Sequence, residues 1–412
     1  MTSAPSGGSR RAADGTRKQP VNPLQTSGVS RARILVTDAG ERSVLAAIRC
    51  LHAAGYEVTA TAGSRLAPGL WSRACSSRRI IPGAAVSAED FSSRLLTLVR
   101  SDPHDVLLAG TDLTLYVISR DRDRFAPHVT LGLPDHAVVR DALNRASFSA
   151  HATRVGLAPP PERVCNDPEE AVRAAEEFGF PVFVKAVHTV VERDGRLVRH
   201  PSAPAFDEAS LRAAQGRTGT CLVQRLSEGN VISFGGVCTQ DGLLASVVSR
   251  YWRTWPVQAG SASFSETVPS PPALVEQVEA LLMAIGWRGL FEVELIQRPD
   301  GAVQAIDFNP RPYGSMTLAT AAGVPLAALW SAWLLGESPR PATARPGVRY
   351  RWEDADGRQI LWQLRNGKIR AAIGAGLPRR GVVHAFGRVR DPLPLLARVL
   401  DSLDRSYLGS VR

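Results

Sequence analysis

The stretch Leu290-Phe-Glu-Val-Glu-Leu-Ile-Gln-Arg-Pro-Asp-Gly-Ala-Val-Gln-Ala-Ile-Asp-Phe-Asn309 alternates polar and apolar residues on both sides of Asp300-Gly301. An alternation of period two is typical of β-strands, and Asp-Gly is favoured in two-residue type I′ turns. We therefore predict a β-hairpin in which Pro299 pairs with Ala302 across that turn.

The predicted pairing brings acidic side chains together. Counting outward from the turn, Glu294 lies opposite Asp307. Glu292 lies opposite Asn309, and the period of two puts all four side chains on one face. Like charges directly opposed across two strands are destabilising unless something neutralises them. Mg²⁺ commonly bridges one or two carboxylates to substrate phosphates, so these oxygens suit a hard cation. A solvated acidic face on an ordinary hairpin is the alternative for this segment alone.

The residues after the hairpin favour the metal site. Asn309-Pro310-Arg311 places an amide two residues past Asp307 on the same face, with a permanent cation just beyond it. An arginine at that position is suited to a phosphate or a carboxylate, which it can bind with two parallel hydrogen bonds. The acidic pair, the Asp-Gly turn and Asn-Pro-Arg in this order form a more specific signal than any of them alone.

Lysine is scarce in this sequence. The 412 residues include 49 lysines and arginines, of which only Lys18, Lys185 and Lys368 are lysine. This bias is typical of a GC-rich coding background, in which arginine serves wherever a generic positive charge suffices. Because an ammonium is a compact point charge and a guanidinium a planar fork, a retained lysine is a candidate for a role that arginine cannot fill. Lys185 is such a candidate, and a strand lysine with its charge in water is the alternative.

The chain is predicted to have a tail, two domains and an extension. Residues 1–30 lack large apolar groups and are predicted to be a disordered basic tail. Strands and helices alternate over residues 31–134, which predicts a parallel sheet in a Rossmann-like domain of α/β class. Its loop Asp38–Glu41 is not a GxGxxG fingerprint, so no bound dinucleotide is expected there. Residues 135–340 are predicted to form the catalytic domain, of α+β type, and residues 341–412 a small C-terminal extension.

Within the predicted catalytic domain, the pattern over residues 141–154 indicates a single helix that ends at Gly156. The strand Val106–Ala109 of the first domain ends in Gly110-Thr111-Asp112. Ligands favour the carboxyl ends of parallel strands, so this loop is a candidate substrate contact.

The hairpin and the segment Gly179-Phe-Pro-Val-Phe-Val-Lys-Ala186 resemble the ATP-grasp superfamily of carboxylate–amine ligases. The resemblance covers about residues 31–340. It implies a Rossmann-like domain followed by two subdomains that clasp ATP. It also implies ATP and Mg²⁺ as cofactors, with Mn²⁺ as a substitute. The implied metal ligands are Glu294, Asp307 and Asn309.

The resemblance implies further site residues. Lys185 occupies the place of a lysine that contacts the nucleotide phosphates, and Arg145 stands where the family has its first nucleotide-binding lysine. The segment Leu222–Gly229 resembles the stretch whose backbone reads adenine. The implied neighbours of adenine and ribose are Gln224, Arg225, Leu226 and Glu228. The residues implied to act on the acyl phosphate and transferred phosphate are Arg253, Arg311 and Lys185.

Three departures from the family pattern accompany these matches. Arg145 replaces a lysine, Asp307 replaces a glutamate, and the loop Val187–Gly195 is not rich in glycine. The resemblance implies an enzyme that joins a carboxylate to an amine, with an amino acid or small peptide as substrate. One alternative is a carboxylate-activating enzyme with a non-amine acceptor, including a kinase-like variant. The other is a nucleotide-binding regulatory protein that has lost catalysis.

Composition argues against several other classes of protein. The net charge is +10, but its excess lies in residues 1–30 and 341–412, so a nucleic-acid-binding face is not expected. The longest apolar run, Val324–Leu335, is too short to span a bilayer. No apolar segment follows the basic N-terminus, and the five cysteines lie far apart, which together predict a cytoplasmic location. Small-molecule substrates are the expected partners, and a homodimer is left open.

Overall fold

The computed structural model describes residues 31–193, 196–200, 202–257, 260–377 and 381–410. The predicted disordered tail, residues 1–30, lies outside them. Within the described part of the chain, no helix is long and apolar enough to cross a membrane.

The first domain contains a five-stranded parallel sheet of order β3-β2-β1-β4-β5. The central strands are buried on both faces, which explains their continuous apolar sequence. The order reverses between β1 and β4, so the loops after these two strands flank the switch point where such sheets bind ligands. The elements are β1 Arg33–Val36, α1 Arg42–Ala53, β2 Glu57–Ala62, β3 Ser77–Ile80, α2 Ala88–Ser101, β4 Val106–Leu108, α3 Asp112–Arg120, α4 Arg122–Phe125 and β5 Thr130–Leu131.

Two helices, α5 (His136–Ala142) and α6 (Arg145–Arg154), replace the single helix predicted over residues 141–154. Asn144 separates them, because its side-chain oxygen accepts the N–H groups of the two residues after Arg145. Asparagine is a favoured N-cap for this reason. The prediction of one helix was therefore wrong, and the break puts Arg145 at the first position of α6.

A four-stranded antiparallel sheet, the small sheet, has the order β10-β7-β11-β6. Lys185 on β7 pairs with Leu222 on β11, and Phe183 pairs with Gln224. Directly opposed residues share a face, so Lys185 and Gln224 face the same way. The elements are β6 Glu162–Cys165, α7 Pro168–Phe178, β7 Val182–Ala186, β8 Val190–Arg193, β9 Arg196–Arg199, β10 Ala203–Ala205, α8 Glu208–Thr218 and β11 Cys221–Arg225, where β8 and β9 form a separate hairpin.

The large sheet has the order β16-β15-β12-β13-β14-β18-β19, with β17 beside β13. Its last two strands come from the predicted C-terminal extension, which therefore continues the sheet that carries the acidic hairpin. The elements are β12 Asn230–Thr239, β13 Gly242–Trp255, β14 Ser261–Val268, α9 Pro272–Ile285, β15 Gly289–Gln297, β16 Val303–Asn309, α10 Met316–Ala321, α11 Leu326–Leu334, β17 Ala342–Thr343, β18 Arg349–Arg351, α12 Glu353–Arg365, α13 Ile369–Gly376, β19 Val382–His384 and α14 Leu393–Ser410.

The turn of the acidic hairpin differs from the predicted two-residue turn. The N–H of Arg298 donates to the carbonyl of Ala302, which leaves three residues in the loop. Gly301, the last of them, has a φ of 89°. A type I turn followed by a left-handed glycine is the usual three-residue hairpin loop, and Pro299 suits its second position. The predicted pairing of Pro299 with Ala302 was therefore wrong.

The predicted acidic pairs are nevertheless present. Glu294 pairs with Asp307, and Glu292 pairs with Asn309. The longer loop shifts the register by one residue, and a β-bulge at Ile306 shifts it back. Bulges of this kind are frequent next to active sites, where they redirect a backbone or side-chain group.

Candidate active site

A cleft of about 530 Å³ lies between the small sheet and the large sheet. Most of the predicted nucleotide contacts line it: Arg145, Lys185, Gln224, Arg225 and Leu226. Glu228, the predicted ribose contact, is exposed and is absent from the described lining. The metal-ligand candidates Glu294 and Asp307 form the opposite wall. The ribose role of Glu228 stays a prediction.

Lys185 is buried at the floor of this cleft, with 6% of its surface exposed. Its Nζ donates to the carbonyl of Ile306 at 2.5 Å, so the hairpin bulge supplies the acceptor. Burial lowers the pKa of Lys185, and the negative charge of Asp307 partly offsets this effect. The side chain therefore does not extend into water, which was the alternative for a strand lysine.

Arg145 lies beside Lys185 and is also buried. Its Nε donates to Oδ1 of Asp307 at 3.2 Å, and its Nη1 donates to the carbonyl of Ala186 at 2.9 Å. The guanidinium of Arg145 therefore contacts Asp307 directly, and the ammonium of Lys185 is close enough for the charge of Asp307 to affect its pKa. An arginine at this position keeps the positive charge that the family obtains from lysine.

Three carboxyl groups, those of Glu292, Glu294 and Asp307, lie close together on the acidic face of the hairpin. Burial, followed by the negative charges of Glu292 and Asp307, raises the pKa of Glu294 to about 8. Burial likewise raises the pKa of Glu292. The hydroxyl of Tyr251 lies 3.2 Å from Glu294 Oε1 and 3.3 Å from Glu292 Oε1. A bound cation would favour the charged forms of these carboxyl groups.

The donor set of this face fits a hard cation, since it consists of carboxylate and amide oxygens. Asn309 donates its Nδ2 to Glu292 Oε2 at 3.1 Å, and its Oδ1 accepts a hydrogen bond from Arg311. Among the described residues, no three His, Cys, Asp or Glu side chains form a metal-binding group by themselves. A metal ion held by Glu294, Asp307 and Asn309 would therefore need phosphate or water ligands as well, as is usual for Mg²⁺.

A second cavity of about 230 Å³ adjoins the cleft. The two share Glu294, Asp307 and Arg199 in their linings. The lining of the second cavity also includes the start of α1 and the loop that contains Gly314. Three arginines line it: Arg42, Arg199 and Arg311.

Asp112, in the loop predicted as a substrate contact, pairs with two of these arginines. Its Oδ1 accepts from Arg311 Nε at 2.7 Å, and its Oδ2 accepts from Arg199 Nε at 2.8 Å. Burial by itself would raise the pKa of Asp112, but the charges of Arg311 and Arg199 lower it to about 2. The carboxylate thus joins the first domain to the acidic hairpin and to β9.

We expect this arrangement to give an acid-dependent contribution to stability. The pKa of Asp112 is lower in the folded protein than the value of about 3.9 in an unfolded chain. Its contribution of about 2 to 3 kcal/mol is therefore complete above about pH 4 and is lost as the pH falls towards 2. Urea unfolding should measure the free energy of unfolding of wild type and of Asp112→Asn. The difference between the two should be smaller at about pH 2.5 than at about pH 5, by about 2 kcal/mol. A difference independent of pH would contradict the assignment.

Arg253, predicted to act on the acyl phosphate, forms a bidentate ion pair with Asp356. Its Nε and Nη2 lie 2.7 and 2.8 Å from the two carboxylate oxygens. Arg351 also contacts Asp356, at 3.0 Å. The linings described for the two cavities do not include Arg253. Its catalytic role stays a prediction, whereas Arg311 and Lys185 each line a cavity.

Sequence reasoning did not select several residues of the second cavity. Tyr251 lies two residues before Arg253, and no sequence pattern selected it. Arg42 follows the first strand of a parallel sheet, which is a position where ligands bind and was an available signal. Arg199 lies on β9, and no sequence pattern points to it.

The chain is similar in sequence to part of a large biosynthetic enzyme. No family model matches it. It is 28% identical to the carbamoyl phosphate synthase large chain of Thermus thermophilus over 219 residues, which are 50% of this chain and 21% of that protein. It is 26% identical to the C-terminal section of that large chain from Methanopyrus kandleri over 208 residues, 47% of this chain and 37% of that protein. The chain thus spans about a fifth of the length of its full-length relatives.

Solved structures share the fold at low identity. The biotin carboxylase domain of 2-oxoglutarate carboxylase from Hydrogenobacter thermophilus, a dimer with MgADP, ADP and bicarbonate, has a TM-score of 0.59 and 18% identity over 77% of this chain and 73% of that one. N5-carboxyaminoimidazole synthetase from Staphylococcus aureus has a TM-score of 0.58 and 13% identity, covering 76% and 79%. L-amino acid ligase from Bacillus licheniformis has a TM-score of 0.55 and 13% identity, covering 76% and 78%.

Fold and sequence similarity together define a class of protein. The chain is similar in sequence to part of carbamoyl phosphate synthase large chains, and it has the fold of ATP-grasp ligases. This confirms the predicted resemblance to ATP-grasp ligases and the predicted α/β fold class. Carboxylases and an amino acid ligase are both among the structural neighbours, so the acceptor is a matter for proposal.

Proposed function

We propose that the protein activates a carboxylic acid as an acyl phosphate and joins it to an amine, forming an amide or peptide bond. The observation that carries this proposal is that the cleft and the second cavity meet at Glu294 and Asp307. ATP would lie in the cleft with its γ-phosphate at this acidic pair. The acid would lie in the second cavity, within reach of the same phosphate.

The proposed chemistry has two steps. A carboxylate oxygen of the acid attacks the γ-phosphorus of ATP, and the bond from that phosphorus to ADP breaks. The amine nitrogen then attacks the acyl carbon, the bond from that carbon to the phosphate oxygen breaks, and the nitrogen loses one proton. Phosphate is a far better leaving group than the oxide that direct attack on a carboxylate would expel.

The protein would contribute mainly fixed charges, because phosphoryl transfer depends on positioning and electrostatic stabilisation. Lys185 and Arg145 would bind the nucleotide phosphates from the floor of the cleft. Arg311 would stabilise the acyl phosphate from the second cavity, where Asp112 fixes its orientation. Arg253 keeps a proposed role in the same step, with its guanidinium held by Asp356.

Glu294, Asp307 and Asn309 would hold Mg²⁺, with Mn²⁺ as a substitute. The metal would neutralise the charge of the phosphates when bound. The close approach of the carboxyl groups supports this, because burial and then the negative charges of Glu292 and Asp307 raise the pKa of Glu294.

The size and polarity of the second cavity favour a small polar acid, such as an amino acid or the end of a small peptide. Its volume is about 230 Å³ and its lining is mostly charged or hydroxylated. Bicarbonate, named in the biotin carboxylase domain structure, would fit the same cavity and is the rival acid. A homodimer stays a proposal as well.

The test is a panel of amino acids, dipeptides, dicarboxylates and bicarbonate, each with and without amines, read as ADP release with mass detection of product. We expect ADP release that depends on an amine and yields an amide. Glu294→Gln should lower ADP release by roughly 10²-fold or more. Glutamine resembles the protonated form of this carboxyl group, so the fold should be retained. Glu276→Gln, on an exposed face of α9, is the matched control.

Other outcomes of the panel would replace the proposal. ADP release that does not require an amine would favour a non-amine acceptor. ATP binding without ADP release for every acid would favour a regulatory protein. Full activity in Glu294→Gln would show that the acidic hairpin is not the site.

A further inference from the structure

Arg42 is a cation of the second cavity that the proposed chemistry does not use. Arg199 and Arg311 line the same cavity, but both are paired with Asp112. Arg42 forms no ion pair with any carboxylate in the described ranges. An arginine without a carboxylate partner in a polar cavity is available to bind an anion with its planar fork.

The guanidinium of Arg42 is positioned by an aromatic ring and by a backbone carbonyl. Its Cζ lies 3.6 Å from the ring centroid of Trp352, at the start of the C-terminal extension. Its Nε donates to the carbonyl of Gly314 at 3.2 Å. A Cβ at Gly314 would lie only 2.2 Å from Arg42 Nη2, so glycine is required for this approach. Tyr350 donates its hydroxyl to the same carbonyl at 3.0 Å and fixes the loop.

Two largely buried serines line the same cavity. Ser43 and Ser315 line the second cavity, and only 4% and 5% of their surfaces are exposed. Neither hydroxyl has a hydrogen-bond partner among the described residues. Because both residues line the cavity, their hydroxyls are available to donate hydrogen bonds to a ligand there.

The start of α1 adds further donors at this end of the cavity. The first N–H groups of a helix have no intrahelical acceptor and favour an anion. The N-cap residue Glu41 makes no side-chain capping bond, and the first turn of α1 contains no acidic residue. Glu41 itself lines the cavity and carries a negative charge. Its charge disfavours a phosphate dianion more strongly than a carboxylate with one charge.

We propose that Arg42 and Ser43, with Ser315, bind a carboxylate that the substrate keeps throughout the reaction. Arg42 is then a substrate-binding residue, and Trp352 and Gly314 are positioning residues. The substrate class is a small molecule with a carboxylate beyond the one that reacts, either a dicarboxylic acid or an amino acid acceptor. This inference rests on the proposed function, because it takes the second cavity as the substrate site.

The first arm of the test compares substrates that differ only in that carboxylate, such as L-alanine with L-alaninamide and succinate with succinamate. In wild type the free carboxylate should lower KM. Arg42→Ala should raise KM for the carboxylate form roughly 10- to 100-fold, with a smaller change in kcat, and should leave the amide form unaffected. Arg65→Ala, an exposed arginine of the same domain, is the charge-matched control.

The second arm tests the positioning residues. Trp352→Phe keeps an aromatic ring under the guanidinium and should retain a low KM, whereas Trp352→Leu should raise it. Gly314→Ala should raise it as well, because the new Cβ displaces Arg42. A purely structural role for Trp352 would instead change kcat and KM of the amide form too.

A third arm does not depend on turnover. The midpoint of thermal unfolding is measured with L-alanine, succinate, their amides and inorganic phosphate, in wild type and in Arg42→Ala. We expect stabilisation by the carboxylates in wild type and its loss in Arg42→Ala.

Stabilisation by phosphate in place of the carboxylates would overturn the ligand class. Absence of turnover with retained Arg42-dependent stabilisation would reject the proposed function but keep the anion site. If neither KM nor the midpoint depends on Arg42, the inference is wrong.

Discussion

Lys185→Met should lower kcat roughly 10²- to 10³-fold and weaken ATP binding, with little change in stability. Methionine has a similar length and shape. Burial disfavours the charged ammonium, as the lowered pKa of Lys185 indicates, so removal of the charge should change the free energy of unfolding little. The loss should come from the missing cation at the floor of the cleft. ADP release with the best substrates of the panel and calorimetric titration of ATP would measure the two effects.

The matched control for this substitution is Lys368→Met. Lys368 precedes α13 in the C-terminal extension, and its Nζ lies 5.0 Å from the ring centroid of Trp362, outside the linings described for both cavities. Activity and ATP affinity should equal those of wild type. Equal kcat in Lys185→Met and wild type would reject the assignment of Lys185 to the phosphates.

Asp356→Ala should lower the free energy of unfolding by about 3 to 5 kcal/mol. Asp356 is 1% exposed and holds Arg253 and Arg351, whose side chains are 13% and 15% exposed. Its removal leaves two nearly buried guanidinium groups without their carboxylate. Urea unfolding followed by tryptophan fluorescence would measure the change.

Asp354→Ala is the control from the same helix. Asp354 pairs with Arg398, but both side chains are about one-fifth exposed, at 22% and 21%. This pair is more exposed than the Asp356 pair, and Arg398 keeps Asp401 as a second carboxylate partner, so this substitution should cost no more than about 1 kcal/mol. Similar losses in the two variants would show that burial of the Asp356 pair is not what stabilises the extension.

The acidic hairpin shows which parts of the site are predictable from local sequence. The alternation of residues determined which side chains share a face, and the pairs Glu294–Asp307 and Glu292–Asn309 are present. The turn prediction failed, and an unforeseen bulge at Ile306 compensated for it. The predicted pairs are therefore present only because two register shifts cancel. The bulge could not be predicted from the hairpin sequence, since it depends on the neighbouring strand and on Lys185, which donates a hydrogen bond to the carbonyl of Ile306.

The break before Arg145 shows a local signal that was missed. Asn144 is a favoured N-cap, and an asparagine within a helical pattern indicates a possible boundary. The break places the guanidinium of Arg145 beside Asp307, which is 162 positions further along the chain. The periodicity of the sequence does not predict a contact between such distant segments.

The sequence by itself determined the resemblance to ATP-grasp ligases, the fold class and the acidic face, because these follow from short-range pattern and from motif order. Tertiary structure decided the second cavity. Asp112 meets Arg311 across 199 positions, and Trp352 from the extension stacks on Arg42 from the first domain. Such contacts depend on how sheets and helices pack together, and packing brings the charges of distant segments into one low-dielectric space where each must find a partner or a ligand.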